Sequence, residues 1–197
     1  MTFIVLEGGE GVGKSTQAAL LANTLRTRGF VVDQTREPGG TPEGLELRQQ
    51  LLHGPAPDDD QELAWMLEDR RLHLEQRIEP ALARGVVVVC DRFTPSTIAY
   101  QGVGRHLGVE YVERRCLEVT GNVVPDIVVV LDLPDDVAEA RVVGFRDRFE
   151  REGAEFHTAV RNAYRELAAD RGWVIVDADG SPEEVGARVW AAVEPHL

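Results

Sequence analysis

The chain has 197 residues, 43% of them hydrophobic, and a formal net charge of -13. This length and apolar content predict one well-buried domain over residues 1–197. Nucleic acids and anionic membranes attract basic surfaces, so the acidic composition argues against general binding to either.

Strand-like apolar runs alternate with helical patterns along the chain. The runs cover residues 3–6, 30–32, 86–90, 127–133 and 173–176. Several are continuously apolar rather than alternating, which is typical of strands covered on both faces. The pattern predicts an α/β fold with three layers, in which helices flank both faces of a parallel sheet of about five strands.

The cysteines and the start of the chain bear on the compartment. Cys90 and Cys116 are expected to be reduced, buried side chains rather than a disulfide. The first strand-like run begins at residue 3, which leaves no room for a leader before it, and no apolar run approaches the ~20 residues of a membrane span. We therefore expect a cytoplasmic protein.

A glycine-rich stretch follows the first run, with the sequence Gly-Gly-Glu-Gly-Val-Gly-Lys-Ser over residues 8–15. A glycine, any four residues, then Gly-Lys and Ser or Thr is the phosphate-binding P-loop pattern. Such glycines let backbone N–H groups surround an anion at a helix N-terminus. The alternative is a glycine-rich surface turn, but the strand before it and the helical pattern of residues 17–28 favour the P-loop.

The P-loop pattern assigns chemistry to particular side chains. Lys14 is the only lysine among 21 basic residues, which suggests a site that needs a slim ammonium group. We predict that it reaches the outer phosphates of a nucleotide and that the Ser15 hydroxyl holds Mg²⁺. The predicted phosphate-binding residues are Gly8, Gly9, Glu10, Gly11, Val12, Gly13, Lys14, Ser15 and Thr16.

Polar residues stand at the carboxyl ends of the predicted strands, where open parallel sheets bind their ligands. Arg36 precedes a Pro-Gly-Gly turn and is expected over the crevice, with a surface arginine as the alternative. Asp91 closes a valine run, where a P-loop protein places a carboxylate near Mg²⁺; the alternative is a capping residue. Asp132 competes for that role, but Arg92 next to Asp91 favours Asp91.

Two charged segments remain open to two interpretations. The long helix predicted over residues 61–84 carries Met66, Arg70, His73 and Arg77 on one stripe, which edges the crevice or faces solvent. Residues 141–153 are rich in arginine and acidic residues. They form either a solvent-exposed helix with weak ion pairs or a lid whose arginines close over phosphates.

Several motifs together resemble the thymidylate kinase family of P-loop nucleoside monophosphate kinases, which transfer a phosphoryl group from ATP to dTMP. The resemblance spans residues 3–179. Its motifs are the P-loop with an internal Glu10, the run Thr-Arg-Glu-Pro-Gly-Gly-Thr at 35–41, Asp91-Arg92 with Ser96-Thr97 and Tyr100-Gln101-Gly102, and Asp147-Arg148-Phe149-Glu150 with Glu155-Phe156-His157.

The resemblance implies a P-loop fold, ATP and Mg²⁺ as cofactors, Asp91 and Ser15 as metal ligands, and a homodimer formed through residues 61–84 and 109–120. It implies that Glu10 lies between the substrates, that Arg36 and Arg92 hold the acceptor phosphate, and that Tyr100 packs on the deoxyribose. The implied acceptor residues are Glu10, Arg36, Pro38, Met66, Arg70, Arg92, Ser96, Thr97, Tyr100 and Gln101, with Arg70, Thr97 and Gln101 at the thymine.

The chain departs from the family pattern in two places. Some members carry an arginine inside the P-loop, where this chain has Gly11 and Val12, so it is similar to the branch with a catalytic lid arginine. Arg148 is the better match for that residue and Arg146 the reserve. Met66 replaces the usual ring that stacks on thymine, and Trp65 compensates if the helix register differs.

Two other functions compete with a dTMP kinase. A nucleotide-operated switch such as a small GTPase needs an Asn-Lys-x-Asp motif, which a chain with a single lysine at position 14 lacks. A kinase for a nucleoside or another monophosphate also fits the P-loop. Paired arginines at two strand ends favour an acceptor that brings its own phosphate.

Overall fold

The computed structural model describes residues 2–121, 123–141 and 147–197. Within them, five parallel strands form one sheet in the order β2-β3-β1-β4-β5. The strands are β1 (Phe3–Glu7), β2 (Val32–Arg36), β3 (Val87–Asp91), β4 (Ile127–Asp132) and β5 (Val174–Asp177). The predicted five-stranded parallel α/β fold is confirmed.

Helices cover both faces of the sheet. Nine α-helices are present in the described residues: α1 (Lys14–Thr27), α2 (Pro42–His53), α3 (Asp59–His73), α4 (Glu79–Ala83), α5 (Thr94–Thr97), α6 (Val109–Thr120), α7 (Asp135–Arg141), α8 (Ala154–Arg171) and α9 (Pro182–Val193). Two π-helical segments, Leu74–Ile78 and Ile98–Gly104, and a 3₁₀ turn, Glu194–His196, complete them. In this part of the chain, no helix is long and apolar enough to cross a membrane.

The central strands explain the two hydrophobic cores. Side chains alternate across a strand, so Phe3 and Val5 pack into one core while Ile4 and Leu6 pack into the other. Every residue of β1 is buried, which is why this strand reads as a continuous apolar run rather than an alternating one.

The predicted position of the second strand is wrong. It was expected at residues 30–32, but the strand begins at Val32 and ends at Arg36. Phe30 and Val31 are exposed, the latter 71%, because they precede the edge strand instead of belonging to it. Pairing with β3, from Val32 opposite Val87 to Arg36 opposite Asp91, sets the strand by backbone hydrogen bonds rather than by hydrophobicity.

The long helix exists, but one of its faces differs from expectation. It begins at Asp59, after the Asp58 carboxylate accepts a hydrogen bond from the Gln61 N–H at 2.8 Å, and continues through the π-helical segment to Ala83. The solvent-facing interpretation of its stripe is wrong for Arg70 and His73, which are 2% and 0% exposed. Both reach polar partners inside the fold.

Candidate active site

The P-loop follows β1 directly, and its glycines are needed for steric reasons. Gly8 and Gly11 have φ angles of 137° and 78°, in the region that disfavours other residues. A Cβ at Gly8 would collide with the Leu131 carbonyl, and one at Gly11 would collide with the Ala138 carbonyl. The loop therefore packs backbone against backbone between β4 and α7.

Lys14 starts α1 and points back into this loop. Its side chain is buried, and Nζ donates a hydrogen bond to the Gly9 carbonyl at 2.5 Å. Burial and the neighbouring Arg92 lower the pKa of Lys14, against the opposing effect of the Glu10 and Asp91 carboxylates. A buried ammonium at the rim of a nest of N–H groups suits a polyphosphate anion.

Ser15 and Asp91 form a candidate metal site. The Ser15 hydroxyl donates to Asp91 Oδ2 at 2.5 Å, and Asp91 Oδ1 is buried with no hydrogen-bond partner in the described part of the chain. One carboxylate and one hydroxyl fit Mg²⁺, which prefers oxygen ligands and takes the others from water and phosphates. Asp132, the competing carboxylate, instead pairs with Arg165 at 2.9 Å.

The three predicted phosphate-binding cations lie along one cleft. The donor cleft, as we call it, contains Lys14, Arg36 and Arg92 together with Ser15 and Asp91. Its other lining residues are Glu10, Gly11, Gly13, Thr16, Glu37, Arg48, Arg141, Asp147 and Glu150.

Arg92 borders both this cleft and a second pocket. Its φ of 73° is unusual for a residue other than glycine, and its guanidinium is held on several sides. One terminal nitrogen, Nη2, donates to Glu10 Oε1 at 2.6 Å and to the Tyr100 hydroxyl at 3.0 Å. Burial alone would raise the pKa of Glu10, but the charges of Arg92 and Lys14 and the Tyr100 hydroxyl lower it to about 2.

The second pocket, which we call the acceptor pocket, collects nine of the ten predicted acceptor residues. These are Glu10, Pro38, Met66, Arg70, Arg92, Ser96, Thr97, Tyr100 and Gln101, while Arg36 lines the donor cleft instead. Residues not assigned from the sequence complete the lining: Glu37, Arg48, Leu52, Phe93, Asp147 and Phe149. We name its two ends the Arg92 end and the Arg70 end.

At the Arg70 end, the guanidinium is fixed by three partners. Nε donates to Glu37 Oε2 at 2.8 Å, Nη2 donates to the Thr97 hydroxyl at 2.9 Å, and Nη1 lies 3.5 Å from the Cys116 sulfur. Cys90 and Cys116 are both buried free thiols. These contacts use three of the five N–H donors of the guanidinium.

Glu37 connects this arginine to the loop after β2. Its other oxygen lies 2.9 Å from His73 Nδ1, and His73 Nε2 lies 2.7 Å from the Thr35 hydroxyl. Nearby, Asp69 Oδ1 accepts from the Gly39 N–H at 2.9 Å, and burial together with the Glu37 charge raises the pKa of Asp69 to about 7. Glu37 stands inside the Arg-Glu-Pro-Gly-Gly-Thr run, which was the available signal for it.

Three further side chains refine the pocket. Met66, not Trp65, lines it, so the helix register turns the thioether rather than the indole to the pocket. Gln101 donates to Glu62 Oε1 at 2.8 Å, and its buried carbonyl oxygen has no partner within the residues that the structure describes. Arg48, which the sequence did not single out, donates to the Pro38 carbonyl at 2.9 Å and borders both pockets.

Of the two predicted lid arginines, Arg148 lies in the part of the chain that the structure describes. Arg146 lies outside the described residues. Arg148 is 13% exposed, and its Nη2 donates to Glu62 Oε2 at 3.2 Å, while Nε and Nη1 are buried without partners among the described residues. Arg148 is not among the residues that line the donor cleft, whereas Asp147 and Glu150 are.

The site combines a P-loop with a serine–aspartate pair suited to Mg²⁺. It also has an arginine-lined pocket that shares Glu10 and Arg92 with the donor cleft. This combination is typical of a P-loop kinase with a small phosphorylated acceptor. A family model described as thymidylate kinase matches residues 6–189. The chain belongs to the thymidylate kinase family.

Curated relatives agree with this family. A thymidylate kinase of Synechococcus sp. (strain JA-2-3B'a(2-13)) is 50% identical over 197 residues, which cover 99% of this chain and 95% of the relative. The thymidylate kinase of Chromohalobacter salexigens is 47% identical, with 99% and 96% covered, and that of Thermomicrobium roseum is 43% identical, with 97% and 93% covered.

Proposed function

We propose that this protein phosphorylates dTMP to dTDP with ATP and Mg²⁺. The observation that carries the proposal is that the two pockets adjoin, since Glu10 and Arg92 line both. A nucleotide on the P-loop and a monophosphate in the acceptor pocket would meet end to end beside these two residues. The relatives named thymidylate kinase support dTMP as the acceptor.

The donor side uses the loop of residues 8–16. Its backbone N–H groups and Lys14 would bind the ATP phosphates. Ser15 and Asp91 would hold Mg²⁺, which when bound offsets negative charge on the phosphates. The Ser15–Asp91 hydrogen bond keeps both oxygen ligands at one point of the donor cleft.

The acceptor side divides its work between the two ends of its pocket. Arg92 and Arg36 would hold the acceptor phosphate, and Tyr100 would pack against the deoxyribose. At the other end the two unused N–H groups of Arg70 would face the thymine, beside Thr97. The remaining predicted contacts are Pro38, Met66, Ser96 and Gln101.

Transfer then needs positioning rather than a general base. An oxygen of the dTMP phosphate, already ionised at neutral pH, attacks the γ-phosphorus of ATP, and the bond to the bridging oxygen breaks to release ADP. Lys14 would offset the charge on the transferred group, while Arg92 would keep two anions in line despite their repulsion.

The lid, assembly and compartment belong to the same proposal. Arg148 would complete the site after leaving Glu62, because its two unpartnered nitrogens are available to phosphate oxygens.

We propose a homodimer through residues 61–84 and 109–120, where exposed Leu117 lies on α6. Its two free cysteines support a cytoplasmic location.

Acceptor specificity tests the function. ADP production is measured with Mg-ATP and, in parallel, dTMP, dUMP, dCMP or thymidine. We expect dTMP to give the highest kcat/KM and thymidine to give background turnover. A clear preference for thymidine would contradict the phosphate-binding roles of Arg36 and Arg92, and ATP hydrolysis that no acceptor stimulates would favour a nucleotide switch instead.

A further inference from the structure

Glu7, the last residue of β1, is a fully buried carboxylate to which the chemistry above gives no task. Its Oε1 accepts hydrogen bonds from the backbone N–H groups of Phe93 at 2.7 Å and Ser96 at 3.3 Å. Its Oε2 accepts from the Ser96 hydroxyl at 2.6 Å and the Tyr164 hydroxyl at 2.9 Å. Four donors from two segments of the fold therefore converge on one carboxylate.

The same two hydroxyls also contact the guanidinium of Arg92. Nη1 of Arg92 donates to the Ser96 hydroxyl at 3.0 Å, to the Tyr164 hydroxyl at 3.3 Å and to the Gly8 carbonyl at 3.2 Å. A guanidinium has no acceptor, so each hydroxyl presents a lone pair to Arg92 and directs its own proton elsewhere. Glu7 Oε2 lies within hydrogen-bond distance of both protons.

The backbone contacts matter as much as the hydroxyls. Arg92 has a φ of 73°, a strained conformation for a residue other than glycine, which persists only where neighbours hold it. Glu7 binds the N–H groups of the next residue, Phe93, and of Ser96 at the start of the following helix. The Glu7 carboxylate thus holds both the backbone that follows Arg92 and the two hydroxyls that contact its guanidinium.

We propose that Glu7 is a positioning residue for Arg92, setting the direction in which its guanidinium meets the acceptor phosphate. Glu7 touches neither pocket in the described residues and acts through Ser96, Tyr164 and the backbone. The role rests on the proposed function, in which Arg92 binds that phosphate. Burial raises the pKa of Glu7, against the opposing effects of the Arg92 charge and of hydrogen bonds from Ser96, Phe93 and Tyr164.

Glu7→Gln is the sharpest test, because it keeps size and shape but replaces one acceptor oxygen by a donor. The amide oxygen can still accept from the Phe93 and Ser96 N–H groups. The NH₂ group then donates to the Ser96 and Tyr164 hydroxyls, which lie 2.8 Å apart. One hydroxyl can donate to the other, and the remaining proton turns toward Arg92, where it opposes the N–H groups. We expect the KM for dTMP to rise about tenfold or more and the KM for ATP to stay within about twofold.

A rise in the KM for dTMP without a rise in the KM for ATP distinguishes a positioning role from a purely structural one. If Glu7 only stabilised the fold, the variant would contain less active enzyme, and kcat would fall with both KM values unchanged. The matched control is Asp126→Asn, since Asp126 Oδ2 accepts from the Phe3 N–H at 2.7 Å, at the opposite end of β1. We expect this control to leave both KM values unchanged.

Tyr164→Phe provides a second, milder variant, which decides the matter if Glu7→Gln does not fold. It removes one hydroxyl between Glu7 and Arg92 and keeps the buried ring, so we expect the KM for dTMP to rise about threefold. An unchanged KM for dTMP in a folded Glu7→Gln, or in Tyr164→Phe where Glu7→Gln fails to fold, overturns the proposal. If the wild type itself prefers another monophosphate, the proposed function is wrong, and the same comparison is made with that acceptor.

Discussion

The two ends of the acceptor pocket differ in how deeply their ion pairs are buried. At the Arg92 end, the arginine side chain is 15% exposed and its carboxylate partner, Glu10, is 23% exposed. At the Arg70 end, the arginine and Glu37 are only 2% and 5% exposed. Both carboxylates also line the donor cleft, but the side chain of Glu10 is the more exposed, so in the proposed function an incoming phosphate can take its place beside Arg92. Glu37 instead binds both Arg70 and His73. The ion pair at the Arg92 end is therefore partly open to solvent, while the arginine at the Arg70 end is held in place by buried partners. In the proposed function, the first end exchanges an anion and the second faces the neutral base.

The largest effect is expected in the donor cleft, which Lys14 lines together with Arg92. Lys14→Ala removes the buried ammonium at the P-loop, and we expect kcat to fall by about 10³-fold because a preorganised donor to the transferred group is lost. The fold should remain, since Lys14 Nζ binds a single carbonyl, that of Gly9. Single-turnover ADP formation and a thermal melt measure the two quantities.

Lys14→Arg is the matched variant, because it keeps the charge but replaces a slim group by a planar fork. The nitrogen lies 2.5 Å from the Gly9 carbonyl inside a tight loop, so the larger guanidinium cannot take the same position. We expect a loss of the same order as for Lys14→Ala. Near-normal turnover in either variant would contradict the role given to Lys14.

At the Arg70 end of the acceptor pocket, the expected effect is on the free energy of unfolding. Glu37→Gln leaves the Arg70 charge buried without its carboxylate, and we expect the free energy of unfolding to fall by about 3 kcal/mol. Urea denaturation measures it. The control is Glu194→Gln, which breaks the Arg28–Glu194 pair at the surface and should cost less than ~1 kcal/mol.

Equal losses in Glu37→Gln and Glu194→Gln would contradict the contrast between the two ends. In that case Arg70 would be held mainly by packing, including its position 5.0 Å from the centre of the Phe93 ring. The comparison uses the same chemical change at both sites, so differences in the denatured state largely cancel.

The sequence predicts the fold well because the signals for it are local. Continuous valine runs mark strands that are covered on both faces, and the P-loop glycines mark close backbone contacts with Leu131 and Ala138. The error at residues 30–32 has the same origin, since apolar side chains alone do not distinguish an edge strand from the turn before it.

The site is predictable where a motif carries it and not where distant residues meet. Glu7 looks like an ordinary strand end, but its partners Phe93 and Tyr164 are 86 and 157 residues away along the chain. The pairing of Arg148 with Glu62 across 86 residues is equally invisible to local patterns. A charge-rich segment predicts exposure, and only tertiary contacts reveal which of its charges are buried.

The smallest effect is expected from restoring a ring at the base position. Met66→Phe places an aromatic side chain where a half-buried thioether now lines the acceptor pocket. Stacking between rings is worth ~0.5–1.5 kcal/mol, so we expect the KM for dTMP to fall about threefold with kcat unchanged. Steady-state kinetics with dTMP and dCMP measure the change.

Trp65→Phe is the control for this prediction, because Trp65 lies on the same helix next to Met66 but outside the lining of the acceptor pocket. It should leave the KM for dTMP unchanged. If Trp65→Phe alters that KM while Met66→Phe does not, the base contacts the helix through Trp65. Met66 and Arg70 are four residues apart and share one face of α3. A base contact through Trp65 would therefore mean that α3 faces the Arg70 end of the pocket in a different helical register than the contacts of Arg70 indicate.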